Sequence, residues 1–295
     1  MHRISTKWPV AAALAAVYLI WSSTYLALRF MVETFPPFLG TSIRMLLAGS
    51  ILFLSLRLRG ATLPTGRQLR NAVAVGVLLF VGGLGLVTFA EDLGVGSGIT
   101  ATAVAMVPVW AALVSGLFGR CPNRAEWTGI AVGLVGVALL SGEGDFKAAP
   151  LGLALVIISP ILWSFGSVWS SHADLPQGLM SAAIEMLGGG VVLGLVGVAL
   201  GESITAMPSL KSWLALGWLI VPGSLVAFSA YAYLLRTVRP ALATSYAYVN
   251  PVFAVILGIT LGQERLTGQV WIALPIILAS VALIVWSRDR RASPV

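Results

Sequence analysis

Long apolar runs separated by short polar segments repeat along the whole chain. An α-helix needs about 20 apolar residues to cross a bilayer core of about 30 Å. Most of the runs that lack Asp, Glu, Lys and Arg have about that length, and they cover 8–28, 71–90, 93–119, 127–142, 148–173, 212–235, 240–263 and 266–287. Two further runs, 34–56 and 175–201, each contain one charged residue. The pattern predicts an all-α integral membrane protein with ten transmembrane helices.

Composition excludes a water-soluble globular protein. Hydrophobic residues make up 58% of the 295 residues and charged residues only 10%, and the mean hydropathy is +0.95. So few charges cannot cover the surface of a soluble protein of this size. The net charge of +7 comes from short basic clusters between apolar runs, which is typical of topology signals rather than of nucleic-acid binding.

The distribution of Lys and Arg predicts that both termini are cytoplasmic. With the N-terminus inside, the cytoplasmic loops and termini carry most of the basic residues, for example Arg57, Arg59, Arg67, Arg70 and Arg120. The outer loops carry only Arg29, Lys147, Lys211 and Arg265. This asymmetry follows the positive-inside rule.

The two halves of the chain resemble each other. Pro-Val-Trp-Ala at 108–111 matches Pro-Val-Phe-Ala at 251–254, and Leu-Ile-Trp-Ser at 19–22 matches Ile-Leu-Trp-Ser at 161–164. The offset stays near 142–144 residues. Similar composition of apolar helices is the alternative explanation, but it does not predict a fixed offset. We therefore predict a first repeat at 8–142, a second at 150–287, and a cytoplasmic tail at 288–295.

Each predicted repeat has five helices, so the second must enter the membrane in the opposite orientation to the first. Inverted-topology repeats are typical of secondary transporters, in which two arrangements of similar energy expose a central site to either side. The expected fold is a 5+5 inverted repeat.

The stretch TSYAYVNPVFAVILGITLGQERLTG, residues 244–268, resembles the signature of EamA-type transporters in the drug/metabolite transporter superfamily. The first repeat departs from it, because Gly-Arg-Cys-Pro at 119–122 stands where Gly-x-Glu-Arg is expected. The resemblance covers nearly the whole chain, and within the superfamily it is strongest to the YddG-type exporters of aromatic amino acids. It implies a ten-helix carrier in a bacterial inner membrane that exports small metabolites.

Two mid-span tryptophans are candidate substrate contacts. Trp21 and Trp163 hold matching positions in the repeats, and Ser22 and Ser164 follow them. Paired indoles could hold an apolar or aromatic side chain, and each ring contact contributes about 0.5–1.5 kcal/mol. Helix packing is the alternative role for both.

One face of the predicted ninth helix combines polar and aromatic groups. Tyr246, Asn250 and Phe253 follow an i, i+4, i+7 spacing, which places them on the same face. Their counterparts in the first repeat include Trp110. These residues are predicted to line a substrate pocket in which Tyr246 and Asn250 orient a neutral or zwitterionic ligand.

Pro108 and Pro251 lie inside predicted helices. A proline there removes a backbone hydrogen bond and creates a bend. We predict a contribution to gating, and a static kink is the alternative.

Arg44 and Glu185 are predicted to be the ionisable groups deep within spans, at matching repeat positions. A charge at mid-bilayer costs about 2.5–3.5 kcal/mol on insertion scales, so each needs a partner or a wet cavity. Three roles stay open at this stage: bonds that hold helices together, substrate binding by either residue, and proton coupling through Glu185.

The sequence therefore predicts an inner-membrane exporter of small amphipathic metabolites, with aromatic or hydrophobic amino acids as the best candidates, that works by alternating access. A broader exporter of drugs, nucleosides or threonine-like amino acids is the alternative. From another class, a channel or structural subunit is considered. Nothing resembles a catalytic or metal-binding motif, so no enzyme, metal or cofactor is expected. The expected partners are a small-molecule substrate and the lipid bilayer, as a monomer or a homodimer.

Overall fold

The computed structural model describes residues 7–140, 149–238, 242, 245–265 and 268–292. The predicted repeat boundary at Gly142, the outer-loop Lys147, three residues of the signature stretch (Thr244, Leu266 and Thr267) and the last three residues of the predicted tail lie outside these ranges. The described residues contain helices and no strand. Eight of the helices are long and apolar enough to cross a membrane, in agreement with a polytopic membrane protein.

We number the helical segments in chain order. They are α1 (Lys7–Val32), α2 (Pro37–Leu58), α3 (Gly66–Asp92), α4 (Ser97–Leu117), α5 (Arg124–Leu140), α6 (Pro150–Ser170), α7 (Leu179–Ala199), α8 (Leu210–Leu234, continuing to Thr237), α9 (Tyr246–Thr260) and α10 (Gly268–Ala292). The segments α5 and α9 are shorter, with 17 and 15 residues. Ten spans therefore remain a prediction. Helix α10 continues to Ala292, so the first part of the predicted tail is helical.

Two helices contain a π-helical segment, Val77–Gly85 in α3 and Leu219–Val226 in α8. Pro222 lies inside the second segment and lacks a backbone N–H, so the regular i to i−4 pattern cannot continue through it. The hydroxyl of Ser224 donates to the carbonyl of Leu219, five residues earlier, at 2.9 Å. The segments start 142 residues apart, at the offset of the sequence repeat.

Helix α4 is not continuous, in contrast to the prediction for this span. It consists of Ser97–Val104 and Val107–Leu117, with a turn between them. Pro108 lies in the first turn of the second part, where its missing N–H costs no helical hydrogen bond. Pro251 does lie inside a helix, α9, as predicted.

Helices α2 and α7 pack against each other in antiparallel directions. A Cβ atom built on Gly49 would lie 3.0 Å from Cγ of Leu187, and one on Gly194 would lie 2.9 Å from the hydroxyl oxygen of Ser42. The Ser42 hydroxyl also donates to the carbonyl of Gly190 at 2.7 Å. Residues nearer the start of α2 therefore contact residues nearer the end of α7, so the two helices run in opposite directions. Glycines permit this close approach because they have no side chain.

Helices α5 and α10 form a second antiparallel pair. Near the start of α5, the Asn123 amide donates to the hydroxyl of Ser287 at 2.6 Å. Further along, the Ser280 hydroxyl donates to the carbonyl of Gly129 at 2.6 Å, and a Cβ atom on Gly136 would lie 2.6 Å from Ile277. The glycines of α5 again allow the two backbones to pack closely.

The remaining packing leaves six helices around the centre. Helix α1 contacts α8 and α9, while α6 contacts α3 and α4, and α4 contacts α9. If each of the first five helices is exchanged with its counterpart five helices later, the contact between α1 and α8 corresponds to the contact between α6 and α3. In the same way, the contact between α1 and α9 corresponds to the contact between α6 and α4. The pairs α2–α7 and α5–α10 flank the centre, and each pair consists of a helix and its own counterpart in the other half.

Candidate functional site

A cavity of about 1040 Å³ lies between these central helices. Its walls come from α1, α3, α4, α6, α8 and α9, with contributions from α2, α5 and α10. This volume suffices for a small metabolite, since ligand pockets commonly have volumes of about 300–1000 Å³.

The cavity is closed at one end and open at the other. It extends to Gly119, Arg120 and Cys121 at the end of α4, where these residues are exposed. In the other direction its wall ends at Leu28, which is 1% exposed. The two ends lie on opposite sides of the helical layer, because α4 begins beside the closed end and finishes at the open one.

Beyond Leu28, the loop that follows α9 joins α1 to α4. Arg29 Nη1 donates to Glu264 Oε1 at 2.6 Å. The Glu264 carboxylate also accepts from the backbone N–H of Ser97 at 2.8 Å, its hydroxyl at 2.6 Å, and the N–H of Gly98 at 3.1 Å. A carboxylate at this place satisfies free N–H groups at the start of α4 and complements the helix dipole. The glutamate of the signature stretch thus holds the closed end of the cavity together.

Four aromatic side chains form one wall of the cavity. The ring of Trp21 lies 4.9 Å from Tyr246, 5.2 Å from Tyr231 and 5.4 Å from Phe228 between centroids. The Trp21 indole N–H donates to the carbonyl of Gly223 at 3.2 Å, which fixes the ring orientation. This aromatic wall, Trp21, Phe228, Tyr231 and Tyr246, offers apolar surface with a polar group at each tyrosine.

Trp163 lines the cavity from α6. Its ring meets Phe80 edge-on at 6.3 Å between centroids. Gly83 leaves the space that the indole occupies, because a Cβ atom there would lie 2.6 Å from Cε3 of Trp163. Gly83, in the π-helical segment of α3, therefore gives room for a large ring in α6.

Arg44 also lines the cavity and is 4% exposed. Its Nε atom donates to the Ser224 hydroxyl at 3.0 Å. Its Nη1 atom has no hydrogen-bond partner among the described residues. The matching residue Glu185 lies apart from it and accepts from the Ser181 hydroxyl at 2.6 Å.

The polar residues next to the paired tryptophans make helix contacts. The Ser22 hydroxyl donates to the carbonyl of Tyr18 and lies 3.2 Å from Oδ1 of Asn250. The Ser164 hydroxyl donates to the carbonyl of Val107 at 2.8 Å, at the break in α4. Both serines are fully buried behind the cavity wall, whereas Asn250 lines it.

The other predicted site residues are divided between the cavity and its surroundings. Pro108 and Pro251 line the cavity. Trp110 packs against the core between α4, α5 and α10, and Phe253 is 39% exposed. Neither of these two aromatic residues, nor Glu185, lies in the cavity wall.

Several residues of this region were not anticipated from the sequence. Tyr25 follows Trp21 by one helical turn, and Phe228 and Tyr231 are three residues apart, so aromatic spacing on α1 and α8 could have indicated them. Glu91 was placed at the end of a span, but it lies within α3 and is 4% exposed. Neither oxygen of its carboxyl group has a hydrogen-bond partner among the described residues.

Comparisons with known proteins agree with this architecture. The chain is 48% identical over 276 residues to the uncharacterized inner membrane transporter YedA of Escherichia coli (strain K12), covering 94% of this chain and 90% of YedA. It is 23% identical to the protein PecM of Dickeya dadantii (strain 3937), over 94% and 93% of the two chains. One solved crystal structure shares the fold, with a TM-score of 0.65, 21% identity, and coverage of 93% and 96%.

A model of the EamA-like transporter family matches this chain twice, at residues 7–142 and at residues 150–286. The two matches together include every helix that contributes to the cavity. The chain is a polytopic membrane protein that belongs to the EamA-like transporter family.

Proposed function

We propose that this protein is an inner-membrane carrier that exports small amphipathic metabolites by alternating access, with aromatic or hydrophobic amino acids as the best candidates. The observation that carries the proposal is the cavity of about 1040 Å³, which is closed at Leu28 and open at Cys121. A carrier needs a central site that is accessible from one side at a time. The name of the relative YedA, an inner membrane transporter, supports the location.

We also propose that the two halves of the chain form an inverted-topology repeat. Helices α2 and α7 are equivalent under the repeat and antiparallel in the structure, and the same holds for α5 and α10. Antiparallel packing of equivalent helices is what a pseudo-two-fold axis in the membrane plane produces. With both termini cytoplasmic, as the positive-inside rule favours, the open end of the cavity faces the cytoplasm.

The residues proposed to contact substrate are those of the cavity wall. Trp21, Trp163 and Tyr246 supply aromatic surface, and Asn250 and Arg44 supply polar groups. The break in α4 before Pro108 and the proline in α9 are proposed as bending points when the halves move. Glu185 is bonded within its own helix and lies away from the cavity wall, so we favour facilitated export over proton coupling through this residue.

Counterflow in proteoliposomes tests the carrier. Vesicles that contain purified protein are loaded with unlabelled tryptophan, phenylalanine or leucine and diluted into the labelled amino acid. A carrier accumulates label transiently and saturably, because exchange through an alternating site couples the two fluxes. Unsaturable flux without counterflow would indicate a channel instead, and a covalent product would indicate an enzyme. Vesicles without protein are the control.

A further inference from the structure

The deep part of the cavity carries an uncompensated positive charge. Arg44 is 4% exposed, and its one described hydrogen bond runs from Nε to the neutral hydroxyl of Ser224. The ion pairs of the described residues, Arg29–Glu264, Arg67–Asp174 and Lys211–Glu33, do not include it. Its Nη1 atom has no partner among the described residues. A residue of the cavity wall therefore carries a buried guanidinium donor that no described protein group satisfies.

Such a group recognises a particular class of ligand. A buried cation without a counter-ion is costly within a membrane, and an anion that binds beside it recovers that cost. The planar guanidinium donates two parallel hydrogen bonds to a carboxylate. One uncompensated charge matches a monoanion, whereas a phosphate dianion would leave an unpaired negative charge in the cavity.

The guanidinium and the aromatic wall are held by adjacent residues of the π-helical segment in α8. Trp21 donates to the carbonyl of Gly223, and Arg44 donates to the hydroxyl of Ser224. A Cβ atom on Gly223 would lie 3.5 Å from Nη2 of Arg44. A ligand with its carboxylate on Arg44 can therefore place an apolar body against Trp21 and its aromatic neighbours.

The described cavity wall offers little negative charge to an ammonium group, and the buried Glu91 of α3 is not part of that wall. Among the described residues of the cavity wall, the one carboxylate is that of Glu126, at the open end. It accepts from the backbone N–H of Asn123 at 2.7 Å and belongs to the start of α5. The amino group of an amino acid would meet neutral groups of the cavity wall, such as the Asn250 amide and tyrosine hydroxyls.

Resting on the carrier function proposed above, we propose that the cavity selects its substrates by their carboxylate, through Arg44, and not by their amino group. The substrate class is then apolar or aromatic monocarboxylates, with or without an α-amino group. Arg44 is the anion-binding residue of this site, and the aromatic wall binds the body of the ligand.

Four probes with the same ring separate the two charges: indole-3-propionate carries only the carboxylate, tryptophan both groups, and tryptamine and tryptophanamide only an amine. Binding to purified full-length protein in nanodiscs is measured from the shift in melting temperature, since a ligand of the folded state raises it. Both carboxylates should raise it, and both amines should bind about 30-fold more weakly or worse, as expected for loss of a desolvated charge pair.

Variants assign the effect to one residue. Arg44→Gln should remove the shift caused by indole-3-propionate, and Arg44→Lys should restore part of it. Arg67→Gln, at an exposed position in the first turn of α3, should leave it unchanged. If Arg44 only held α2 to α8, its replacement would lower the melting temperature of the free protein and leave the selectivity among probes intact. Because the comparison of probes uses the unmodified protein, a variant that fails to fold does not prevent the test.

Absence of stabilisation by either carboxylate, or tryptamine binding as tight as indole-3-propionate binding, would overturn the carboxylate site. The carrier proposal is judged separately by counterflow. A protein that exchanges amines or neutral solutes would keep the proposed transport function and lose the proposed selectivity.

Discussion

Arg29 on α1 and Glu264 after α9 form an ion pair of 2.6 Å across 235 residues of sequence. The pair joins the two halves of the chain at the closed end of the cavity. The Glu264 side chain is 3% exposed and bonds the start of α4 as well. The same carboxylate therefore closes the cavity and completes a helix, so any movement that opens this end must break charged hydrogen bonds.

We predict that Glu264→Gln destabilises the protein much more than a charge change at the surface. Loss of a buried charged acceptor with several donors should cost about 2–3 kcal/mol, because hydrogen bonds to charged groups contribute about 1.5–3 kcal/mol. Thermal unfolding of the purified protein in detergent measures the effect.

The matched control is Glu33→Gln, which breaks the exposed pair between Glu33 and Lys211, 2.5 Å apart. Exposed pairs contribute about 0–1 kcal/mol. Equal losses of melting temperature in the two variants would show that the network around Glu264 does not hold the closed end.

Glycine positions provide a second test, on the packing of α3 against α7. A Cβ atom on Gly76 would lie 2.2 Å from the backbone carbonyl oxygen of Glu185, which cannot move without shifting α7. Gly76→Ala should therefore destabilise the protein by about 1–3 kcal/mol, the usual cost of overpacking.

Gly217→Ala is the control for the same chemical change. Gly217 also lies in a helix, but nothing lies within 4 Å of a Cβ atom there. Alanine is favoured over glycine in a helix by about 1 kcal/mol, so this variant should be neutral or slightly more stable. If both variants unfold at the same temperature, α3 and α7 are not packed as described.

The helical spans could be predicted from the sequence because a bilayer requires long apolar segments whose backbone groups bond internally. The same rule misplaced Glu91. A charge was taken as the end of a span, whereas α3 continues to Asp92 and buries Glu91. The π-helical segments were also not predicted, since their hydrogen-bond register depends on packing and only Pro222 signals a missing donor.

The candidate site was predicted in part. Periodicity placed Tyr246, Asn250 and Phe253 on one face. The first two line the cavity, while Phe253 does not and is 39% exposed. Periodicity gives the direction of a side chain around its own helix, but not which helix lies opposite at that depth. The contribution of α8 to the aromatic wall, Phe228 and Tyr231, follows from tertiary packing.

Cysteine labelling tests the orientation. Cys121 is exposed at the open end of the cavity, so a membrane-impermeant maleimide should label the native protein in inside-out vesicles and not in intact spheroplasts. Met207, 85% exposed between α7 and α8, should give the opposite result as Met207→Cys in a Cys121→Ser background. Cys121→Ser alone controls for background labelling. Labelling of Cys121 from the periplasmic side would reverse the proposed topology.

Trp163 and Gly83 should behave as a coupled pair. A Cβ atom on Gly83 would overlap the indole, so Gly83→Ala must displace Trp163 within the cavity wall. We expect a loss of about 1–3 kcal/mol in stability and a rise of about two- to tenfold in KM for tryptophan counterflow, since one ring contact contributes about 0.5–1.5 kcal/mol. Gly116→Ala is the control, because its nearest atom would be 3.8 Å away.

The double variant distinguishes a local clash from a general effect of alanine in α3. In a Trp163→Leu background the indole is absent, so adding Gly83→Ala should cost little further stability and leave KM near that of Trp163→Leu alone. Residues in contact give non-additive effects of about 0.5–3 kcal/mol, whereas independent sites add. Additive losses in both melting temperature and KM would mean that Gly83 does not act through Trp163, and the assignment of this indole to the cavity wall would then fail.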